Sequence, residues 1–505
     1  MDLSQRVRDV LALDPSAPAI EFEHDWWSWG ELAAVGDAVD RLLTAASLGD
    51  GSPIGVVMRN RPTAIATLWN VLATRRTLVT LRPVHPDASL AADVERLRLP
   101  AVVADAEDWA RPGVVDAARA AGSLGISIPT ARGGTIELVP GSSAPGPGPH
   151  HDSLPGVAVE MLTSGTTGPA KRVHLRYRSL EASFEGVTHY ISKENAERVT
   201  LKEGVGILWT PLVHISGLWH TIAAIVEGRK IALLERFDVD RWAELIARHK
   251  PVVAGLPPTA MRMVLDARVP KEALASLRAV RVGTAPLDPA LGDEFERVYG
   301  IPPLVVYGAT EFAGAVAGWT LKEYRRFGLA KRGSVGRAHP GVRLRIVDQE
   351  DGRELGPGEV GLLEVNAPQL QRDGAVQEWV RTTDLASIDE DGFVWIKGRA
   401  DDVVIRGGFK VSTTQVADVL KSHPAVRDGS VIGIPDARLG QVPVAAVELR
   451  DDLDDKPTPE DLVTWLRARL APYQVPVEVR IVDALPRTPS MKVSQPAIRE
   501  LFAPA

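Results

Sequence analysis

An alternation of strand-like and helix-like segments constrains the fold of this chain more than any other feature of its sequence. The apolar run Ser52–Met58 is followed by helical spacing over Thr63–Thr74 and then by the β-branched segment Thr77–Leu81. The same order returns at 252–267 and at 279–300. Strands that alternate with helices build parallel α/β layers, because each helix covers an apolar face of the sheet. The predicted fold class is therefore α/β.

The pattern of apolar and turn residues changes after Pro340. Short alternating segments at 342–348, 359–365 and 392–398 are separated by glycine-rich turns, which predicts an antiparallel β subdomain. The last hundred residues read as a small α+β unit with helices at 412–424 and 458–473. A chain of 505 residues is too long for one core. We predict an N-terminal domain at 1–399, made of layered α/β subdomains plus the β subdomain, and a small mobile C-terminal domain at 400–505.

Charge and composition exclude several classes of protein. The net charge of −7 disfavours a nucleic-acid partner, which needs a basic face. The chain has no cysteine, so any thiol in its chemistry must come from a partner. No apolar run is long enough to span a membrane, and the N-terminus lacks the apolar centre of a signal peptide. The expected location is the cytoplasm.

The Pro/Gly/Ser-rich stretch 141–156 is expected to be an exposed linker or loop. It contains the pair His150–His151. Histidines in such a tract are more often solvated than bound to metal, and we therefore predict no metal site there.

The stretch "MLTSGTTGPAKRV", at 161–173, has the composition of a loop that holds phosphate. Its glycines permit backbone conformations in which successive N–H groups form an anion nest, and its hydroxyls and Lys171 add donors. The spacing differs from a P-loop, because only two residues separate the glycines and Pro169-Ala170 precede the lysine. Taken alone, the stretch is equally compatible with a polar surface turn.

Six ordered motifs, however, resemble those of the adenylate-forming superfamily, which includes acyl-CoA synthetases, firefly luciferase and the adenylation domains of peptide synthetases. They cover nearly the whole chain. The motifs are "SGTTG" with its lysine, "PLVHISG" at 211–217, "VGTAPLD" at 282–288, "YGATE" at 307–311, the segment 381–411 and "PRTPSMKVS" at 486–494.

Three of the motifs depart from the family pattern. The proline of the first motif comes one place early and Arg172 replaces a glycine, Thr383 replaces the glycine of the usual Thr-Gly-Asp, and Met491 replaces the glycine before the last lysine. No charged group is lost by these changes. They bear on loop geometry and on the choice of acceptor.

The resemblance implies that the chain binds ATP and Mg²⁺ and joins a carboxylic acid to AMP. The implied ATP/AMP contacts are Thr163, Ser164, Gly165, Thr166, Thr167, Gly168, Lys171, Gly283, Thr284, Ala285, Pro286, Tyr307, Gly308, Ala309, Thr310, Asp384 and Arg399. Glu311 and Thr163 would hold the metal, since Mg²⁺ prefers hard oxygen ligands. Asp384 would accept both ribose hydroxyls.

The catalytic residues implied by the resemblance are Lys492 and His214. An acid and the α-phosphate of ATP repel each other, so positive charge is needed between them. Lys492 would supply it, and His214 would help to orient the acid. The implied acyl pocket consists of Trp209, His214, Ile215, Gly217 and Leu218. The alternative for this apolar segment is simple core packing.

The second half-reaction requires Lys492 to withdraw. The resemblance implies a hinge at Asp401, about which the C-terminal domain rotates, and an acceptor tunnel at Gly408 and Lys410.

The leading interpretation is an acyl-CoA ligase for a hydrophobic acid, aromatic and cyclic acids included, with CoA as co-substrate. The second is an amide bond synthetase, in which an amine attacks the adenylate. A nucleotide-responsive binding protein without catalysis is the third. A carrier protein as acceptor and a homodimer are left open.

Overall fold

The computed structural model describes residues 1–83, 87–162, 172–188, 199–370, 379–400, 402–407, 409–451, 455–488 and 491–503. These residues form two compact units. The first holds the described residues up to Val342 together with 366–370, and the second holds Arg343–Val365 and the described residues from Trp379 onward. The predicted domain boundary near Ala400 lies inside the second unit. The boundary stays a prediction, because the division into compact units follows how the elements pack and does not report which part of the chain moves as a domain.

The elements alternate between strands and helices through most of the first unit. In chain order the helices are α1 (Leu3–Leu13), α2 (Trp29–Ala45), α3 (Pro62–Ala73), α4 (Asp87–Leu97), α5 (Ala106–Trp109), α6 (Val114–Ala121), α7 (Tyr177–Thr188), α8 (Ile215–Glu227), α9 (Val239–His249), α10 (Pro258–Asp266), α11 (Pro289–Tyr299), α12 (Leu321–Phe327), α13 (Thr413–Lys421), α14 (Pro459–Arg467) and α15 (Gln495–Leu501). The strands are β1 (Pro18–Phe22), β2 (Asp25–Ser28), β3 (Pro53–Val57), β4 (Thr77–Leu81), β5 (Ala101–Asp105), β6 (Leu124–Ile128), β7 (Glu137–Leu138), β8 (Val157–Leu162), β9 (Arg172–Arg176), β10 (Lys202–Leu208), β11 (Arg229–Leu233), β12 (Val253–Gly255), β13 (Ala279–Val282), β14 (Pro303–Ala309), β15 (Gly314–Gly318), β16 (Arg337–Ala338), β17 (Arg343–Val347), β18 (Gly361–Asn366), β19 (Val380–Ile388), β20 (Val394–Arg399), β21 (Val403–Arg406), β22 (Phe409–Ser412), β23 (Val426–Asp436), β24 (Gly440–Leu449) and β25 (Glu478–Val482).

The predicted strand–helix–strand of the first third is confirmed as β3, α3 and β4. Its strands are parallel neighbours in a seven-stranded sheet of order β7-β6-β5-β3-β4-β8-β9. Both strands are wholly buried, which is why they read as continuous apolar runs. Helix α3 is buried around its whole circumference because α1, α2 and α8 pack against it. The α/β class of the first unit is thereby confirmed.

Two further sheets complete the described part of the first unit. One has the order β10-β11-β1-β2, and the other has the order β12-β13-β14-β15-β16. In the second of these, β12, β13 and β14 are parallel, while β15 and β16 are antiparallel. The strand–helix pairs predicted at 252–267 and 279–300 correspond to β12 with α10 and β13 with α11. This mixed sheet carries most of the described nucleotide-site predictions.

The second unit contains the predicted β subdomain and the predicted α+β unit. Strands β17 to β20 follow one another in a four-stranded sheet, whose pairs β18–β19 and β19–β20 are antiparallel. The C-terminal sheet has the order β22-β21-β24-β23, and β25 pairs with β24. Helices α13 and α14 bury apolar residues in the core of this sheet. Within the described ranges, no helix combines the length and the apolarity that crossing a bilayer requires.

The stretch 141–156 is held by side-chain hydrogen bonds that its composition does not predict. His151 Nε2 lies 3.0 Å from a carboxylate oxygen of Glu160, and Ser153 Oγ donates to the same carboxylate at 2.6 Å. Glu160 itself is buried on β8. The expectation of solvated histidines was therefore wrong for His151, because a buried carboxylate on the neighbouring strand needs a donor.

This ion pair makes the stability of the fold depend on pH. The hydrogen bond with Glu160 raises the pKa of His151. Burial alone would raise the pKa of Glu160, but its bonds from His151 and Ser153 outweigh burial and lower it. The histidine's contribution is complete below its ordinary pKa of 6.5 and is lost as pH rises through the raised value. The carboxylate's contribution is present above its ordinary pKa of 4.5.

We expect the His151→Gln variant to be destabilised most, relative to the parent, between pH 4.5 and pH 6.5, which are the ordinary pKa values of the glutamate and the histidine. The difference should shrink as pH rises above that window. Urea unfolding midpoints, measured from pH 5 to about 9, check this. In a Glu160→Gln background, His151→Gln should lose this pH dependence. A difference that stays constant with pH in both backgrounds would contradict the coupling.

Candidate active site

The segments predicted to contact adenine lie side by side in the mixed sheet. Strands β13 and β14 are parallel, with Val282 paired to Val305, so their carboxyl ends meet at one edge. Residues 283–286 follow β13, and Tyr307 lies near the end of β14. A Cβ on Gly283 would lie 3.0 Å from Cγ2 of Val306, so glycine there allows the two segments to approach closely. The fold thus brings these predicted contacts together.

Thr284, at this edge of the sheet, has an unusual backbone conformation. Its φ of +69° lies in the left-handed region, which costs energy for a threonine. Its Oγ1 is buried and has no hydrogen-bond partner among the described residues. Strain together with an unsatisfied buried hydroxyl is typical of a ligand site. The assignment of residues 283–286 to the nucleotide stays a prediction, and these features support it.

The turn that carries Glu311 follows β14 directly. Residues 310–312 form a short 3₁₀ helix, in which Glu311 is exposed and Phe312 is buried. Two hydrogen bonds hold this turn to the surrounding helices: Ser183 Oγ donates to the Ala313 carbonyl at 3.1 Å, and Trp219 Nε1 donates to Ser183 Oγ at 3.0 Å. The turn is therefore fixed to α7 and α8, and the carboxylate of Glu311 faces solvent.

His214 is the N-cap residue of α8, the helix that also carries Trp219. Of the other predicted acyl-pocket residues, Ile215 is partly exposed, whereas Leu218 lies in the core. Trp209 is buried and donates from Nε1 to the Gly255 carbonyl at 3.2 Å. Gly217 is required for packing, because a Cβ there would collide with the carbonyl oxygen of Pro211. The pocket assignment stays a prediction, with His214 and Ile215 at the accessible end of the segment.

Asn60 holds the segment before His214 in place, and sequence reasoning missed it. The amide is buried, and its Nδ2 donates to the carbonyls of Trp209 at 3.0 Å and Leu234 at 3.2 Å. Its Oδ1 accepts from the backbone N–H of Leu212 at 3.0 Å. The side chain therefore joins the ends of β10 and β11 to the loop that leads into α8. "RNRP" reads as a turn in sequence, and nothing local marks its asparagine.

Asn60→Ala is expected to destabilise the first unit by about 3 kcal/mol, because buried backbone groups lose their partners. The loss is measured as the shift in the urea midpoint for unfolding of the first unit. Gln5→Ala removes an exposed amide, whose Nε2 donates only to Asp9 at 2.7 Å among the bonds described, and serves as the control. An unfolding midpoint for Asn60→Ala equal to that of the control would contradict the role of this network.

Among the described residues, Asp105, Glu107 and Asp108 place carboxylate oxygens close enough together to hold a metal ion. Arg59 contacts both oxygens of Asp108 at 2.8 Å, and Arg61 lies 2.6 Å from Asp105. Burial raises the pKa of Asp105 to about 6 in spite of Arg61. Two arginines thus occupy the positions that a cation would take, and the cluster is an ion-pair network.

In the second unit, Asp384 and Arg399 are register partners on β19 and β20. Arg399 Nε lies 3.4 Å from the Asp384 carboxylate. The same guanidinium donates to Thr383 Oγ1 from Nε at 3.1 Å and from Nη2 at 2.7 Å. The threonine that departs from the family pattern therefore orients the arginine beside the aspartate. Sequence reasoning predicted that Asp384 and Arg399 each contact the ribose, and it missed this hydroxyl.

Lys492 lies in the same unit. The pKa of Lys492 lies below its ordinary value, first because protein atoms displace water around the ammonium and then because of the charge of Arg399. The residue is nonetheless exposed, so the ammonium keeps access to solvent and to a ligand. Met491 has a φ of +63°, the conformation that the family's usual glycine would adopt freely.

Several predicted residues fall outside the described ranges, or have undescribed side chains. The phosphate loop from Thr163 to Lys171, the hinge Asp401 and the tunnel residue Gly408 are not described. Lys410 lies on β22, where its backbone pairs with Ile405, but its side chain is not described. These assignments stay predictions.

Comparison with known proteins supports one family for the whole chain. The sequence model of the AMP-binding enzymes matches residues 7–372, and that of the AMP-binding enzyme C-terminal domain matches residues 415–492. A fatty acid–[acyl-carrier-protein] ligase from Streptomyces coeruleorubidus is 30% identical over 70% of this chain and 69% of its own length. A sulfoacetate–CoA ligase from Cupriavidus necator is 29% identical over 93% of this chain and 91% of its own.

The solved structures that resemble the chain include the amide bond synthetase McbA from Marinactinospora thermotolerans. It is 26% identical, with a TM-score of 0.77 over 99% of this chain and 100% of its own. The match extends over both described units, and the fold predicted from the motifs is confirmed.

Proposed function

The chain belongs to the AMP-binding enzyme family, and from this premise we propose that it is an ATP-dependent acid ligase that forms AMP. It activates a carboxylic acid as an acyl-adenylate, releases pyrophosphate and passes the acyl group to a nucleophile. The observation that carries the proposal is the pair Asp384–Arg399, which lies at 3.4 Å on adjacent strands with the guanidinium donating to Thr383, in a chain that matches both family models.

The chemistry follows from the charges of the reactants. A carboxylate oxygen must approach the α-phosphorus of ATP, and both groups are anionic. An ammonium at Lys492 offsets this repulsion and stabilises the charge that develops as the new P–O bond forms. Because the residue is exposed, the ammonium can reach a bound ligand.

The nucleotide is held, in this proposal, by groups on separate elements. The Asp384 carboxylate accepts hydrogen bonds from the ribose hydroxyls, with Arg399 beside it. The edge formed by residues 283–286 and Tyr307 receives the base. Glu311 offers an exposed carboxylate and Thr310 a hydroxyl, a donor set that suits Mg²⁺, which would neutralise phosphate charge when bound. Thr163 and the phosphate loop would complete the site.

CoA is the acceptor that we favour, because a relative that covers nearly the whole chain is an acid–CoA ligase. The chain itself has no cysteine, so the thiol must belong to the co-substrate. The second candidate is an amine acceptor, favoured by the full-length resemblance to an amide bond synthetase and by the altered glycine positions at Thr383 and Met491. The proposal also includes a second step, in which rotation at Asp401 withdraws Lys492 and the acceptor enters past Gly408 and Lys410. It further includes a cytoplasmic location.

A matrix of acids and acceptors with mass detection tests the proposal. Purified protein receives ATP, Mg²⁺ and one acid, and pyrophosphate release is measured before CoA or an amine is added. We expect release with at least one acid and a thioester product after CoA. An amide product with no thioester would select the second candidate. No release with any acid would overturn the proposal and favour a nucleotide-binding protein.

A further inference from the structure

The loop that carries Glu311 joins two antiparallel strands. Ala309 at the end of β14 pairs with Gly314 at the start of β15, so residues 310–313 form a four-residue hairpin loop. The N–H of Ala313 donates to the carbonyl of Thr310 at 3.0 Å and closes the turn. No strand pairing remains inside the loop, and its orientation therefore depends on contacts from neighbouring elements.

The last residues of this hairpin have unusual backbone conformations. Ala313 has a φ of +53°, in the left-handed region, and Gly314 has a φ of +138°. A Cβ at Gly314 would lie 3.2 Å from Ser183 Oγ and 3.2 Å from Cδ1 of Trp219, so glycine there lets α7 and α8 approach the loop closely. A left-handed alanine persists only where its surroundings hold it.

Ser183 and Trp219 supply that support through two hydrogen bonds in series, which we call the relay. The indole Nε1–H of Trp219 donates to Ser183 Oγ at 3.0 Å, and the hydroxyl donates its one proton to the Ala313 carbonyl at 3.1 Å. Ser183 is buried on α7. Without its hydroxyl, the indole N–H and the Ala313 carbonyl would both lose these partners.

Packing fixes the indole at the start of the relay. The Trp219 ring stacks on Phe184, with ring centroids 5.1 Å apart and planes at 30°. Phe184 is itself buried in the core of the first unit. Trp219 follows His214 by five residues, so the relay anchors the loop to the helix that begins at the predicted acid segment.

Loss of the relay should reorient the loop and not release it. Phe312, in the middle of the loop, is only 2% exposed, and burial of its ring keeps the loop against the protein. The neighbouring Glu311 is exposed, so its carboxylate has no packing of its own to fix its direction. The direction of this carboxylate is therefore set by the backbone of the turn.

We propose that Ser183 and Trp219 are positioning residues, whose relay holds the 310–313 loop in the orientation that lets Glu311 bind the Mg²⁺ of the nucleotide. The inference rests on the proposed function, which assigns Glu311 to the metal. It goes beyond that assignment, because neither side chain of the relay is itself a proposed ligand.

The test measures how much Mg²⁺ strengthens nucleotide binding to the full-length protein. Calorimetry gives the affinity for a non-hydrolysable ATP analogue with Mg²⁺ and with EDTA, and the ratio of the two isolates the contribution of the metal. We expect Ser183→Ala to lower this ratio about tenfold while binding in EDTA stays near the parent value. Trp219→Phe, which keeps a ring against Phe184 and removes the N–H, should act in the same direction.

The kinetic counterpart is a Mg²⁺ titration of pyrophosphate release at saturating acid and ATP. For Ser183→Ala, the Mg²⁺ concentration that gives half the maximal rate should rise about tenfold, and kcat at saturating Mg²⁺ should change less than about twofold. In the double variant Ser183→Ala/Trp219→Phe, the effect should equal that of Ser183→Ala alone, because both changes remove the same relay.

Ser142→Ala is the matched control. Ser142 is also buried in the first unit, and its Oγ also donates to a backbone carbonyl, that of Ser123. The control should leave the calorimetric ratio unchanged even where the midpoint of urea unfolding falls.

Each outcome decides the inference. An unchanged ratio in Ser183→Ala, an equal change in the control, or additive effects in the double variant would overturn it. A parent whose affinity does not respond to Mg²⁺ would overturn it as well. If no acid releases pyrophosphate, the proposed function fails by itself, and the calorimetric ratio still decides whether the relay positions Glu311.

Discussion

Lys492→Ala is expected to slow acyl-adenylate formation by about 10²- to 10³-fold while ATP binding stays close to the parent value. The lysine contributes most where negative charge is brought together, that is, in the transition state. Ground-state binding of ATP is proposed to depend instead on contacts to the ribose and the base and on the predicted phosphate loop. The loss should therefore appear in kcat and not in the dissociation constant for ATP.

Single-turnover formation of the adenylate, measured by quenched flow, reports this step directly. ATP binding is measured separately by calorimetry. Lys397→Ala removes another exposed lysine of the same unit and should leave both quantities unchanged. An adenylation rate for Lys492→Ala near that of the parent would show that another group supplies the positive charge.

The second large effect is expected from Asp384→Asn, which should raise KM for ATP by about 30- to 100-fold. A carboxylate accepts from both ribose hydroxyls, whereas an amide offers one oxygen acceptor in its place. The loss of one hydrogen bond to a charged group costs about 1.5–3 kcal/mol, which corresponds to roughly 10- to 150-fold, and the expected rise lies inside that span. Because the ribose is bound equally in ground state and transition state, kcat should change much less.

The measurement is a kinetic titration of ATP at saturating acid, with pyrophosphate as the product observed. Glu390→Gln removes an exposed negative charge that follows β19 and serves as the matched control. A fall in kcat without a rise in KM would place Asp384 in the chemical step. An unchanged KM would remove it from the nucleotide site altogether.

Most of the secondary structure could be predicted from the sequence, because local patterns report which faces are buried. Residues 53–57 and 77–81 are buried on both faces and therefore read as continuous apolar runs. The linker at 141–156 was predicted less well. Its glycines and prolines describe a loop correctly, but the buried carboxylate that holds His151 lies on another strand.

The site was predicted through its charged and hydroxyl-bearing residues, and its supporting network was not. Asp384, Arg399 and Lys492 were identified by motif, and the structure brings them into one unit. Asn60 and the Thr383 hydroxyl act through backbone carbonyls and through a guanidinium that are distant in sequence. No local spacing marks such residues, since their partners are chosen by strand register.

The sequence by itself determined the family and the layered α/β architecture, and it supplied the prediction of the reacting groups, because these depend on residue types at fixed local spacings. Tertiary structure alone decided that Trp219 and Ser183 hold the loop after β14 and that Asn60 secures the loop before His214. The physical reason is that sheet register and helix packing bring together residues that no sequence separation relates, and the shape and charge of a pocket arise only from that juxtaposition.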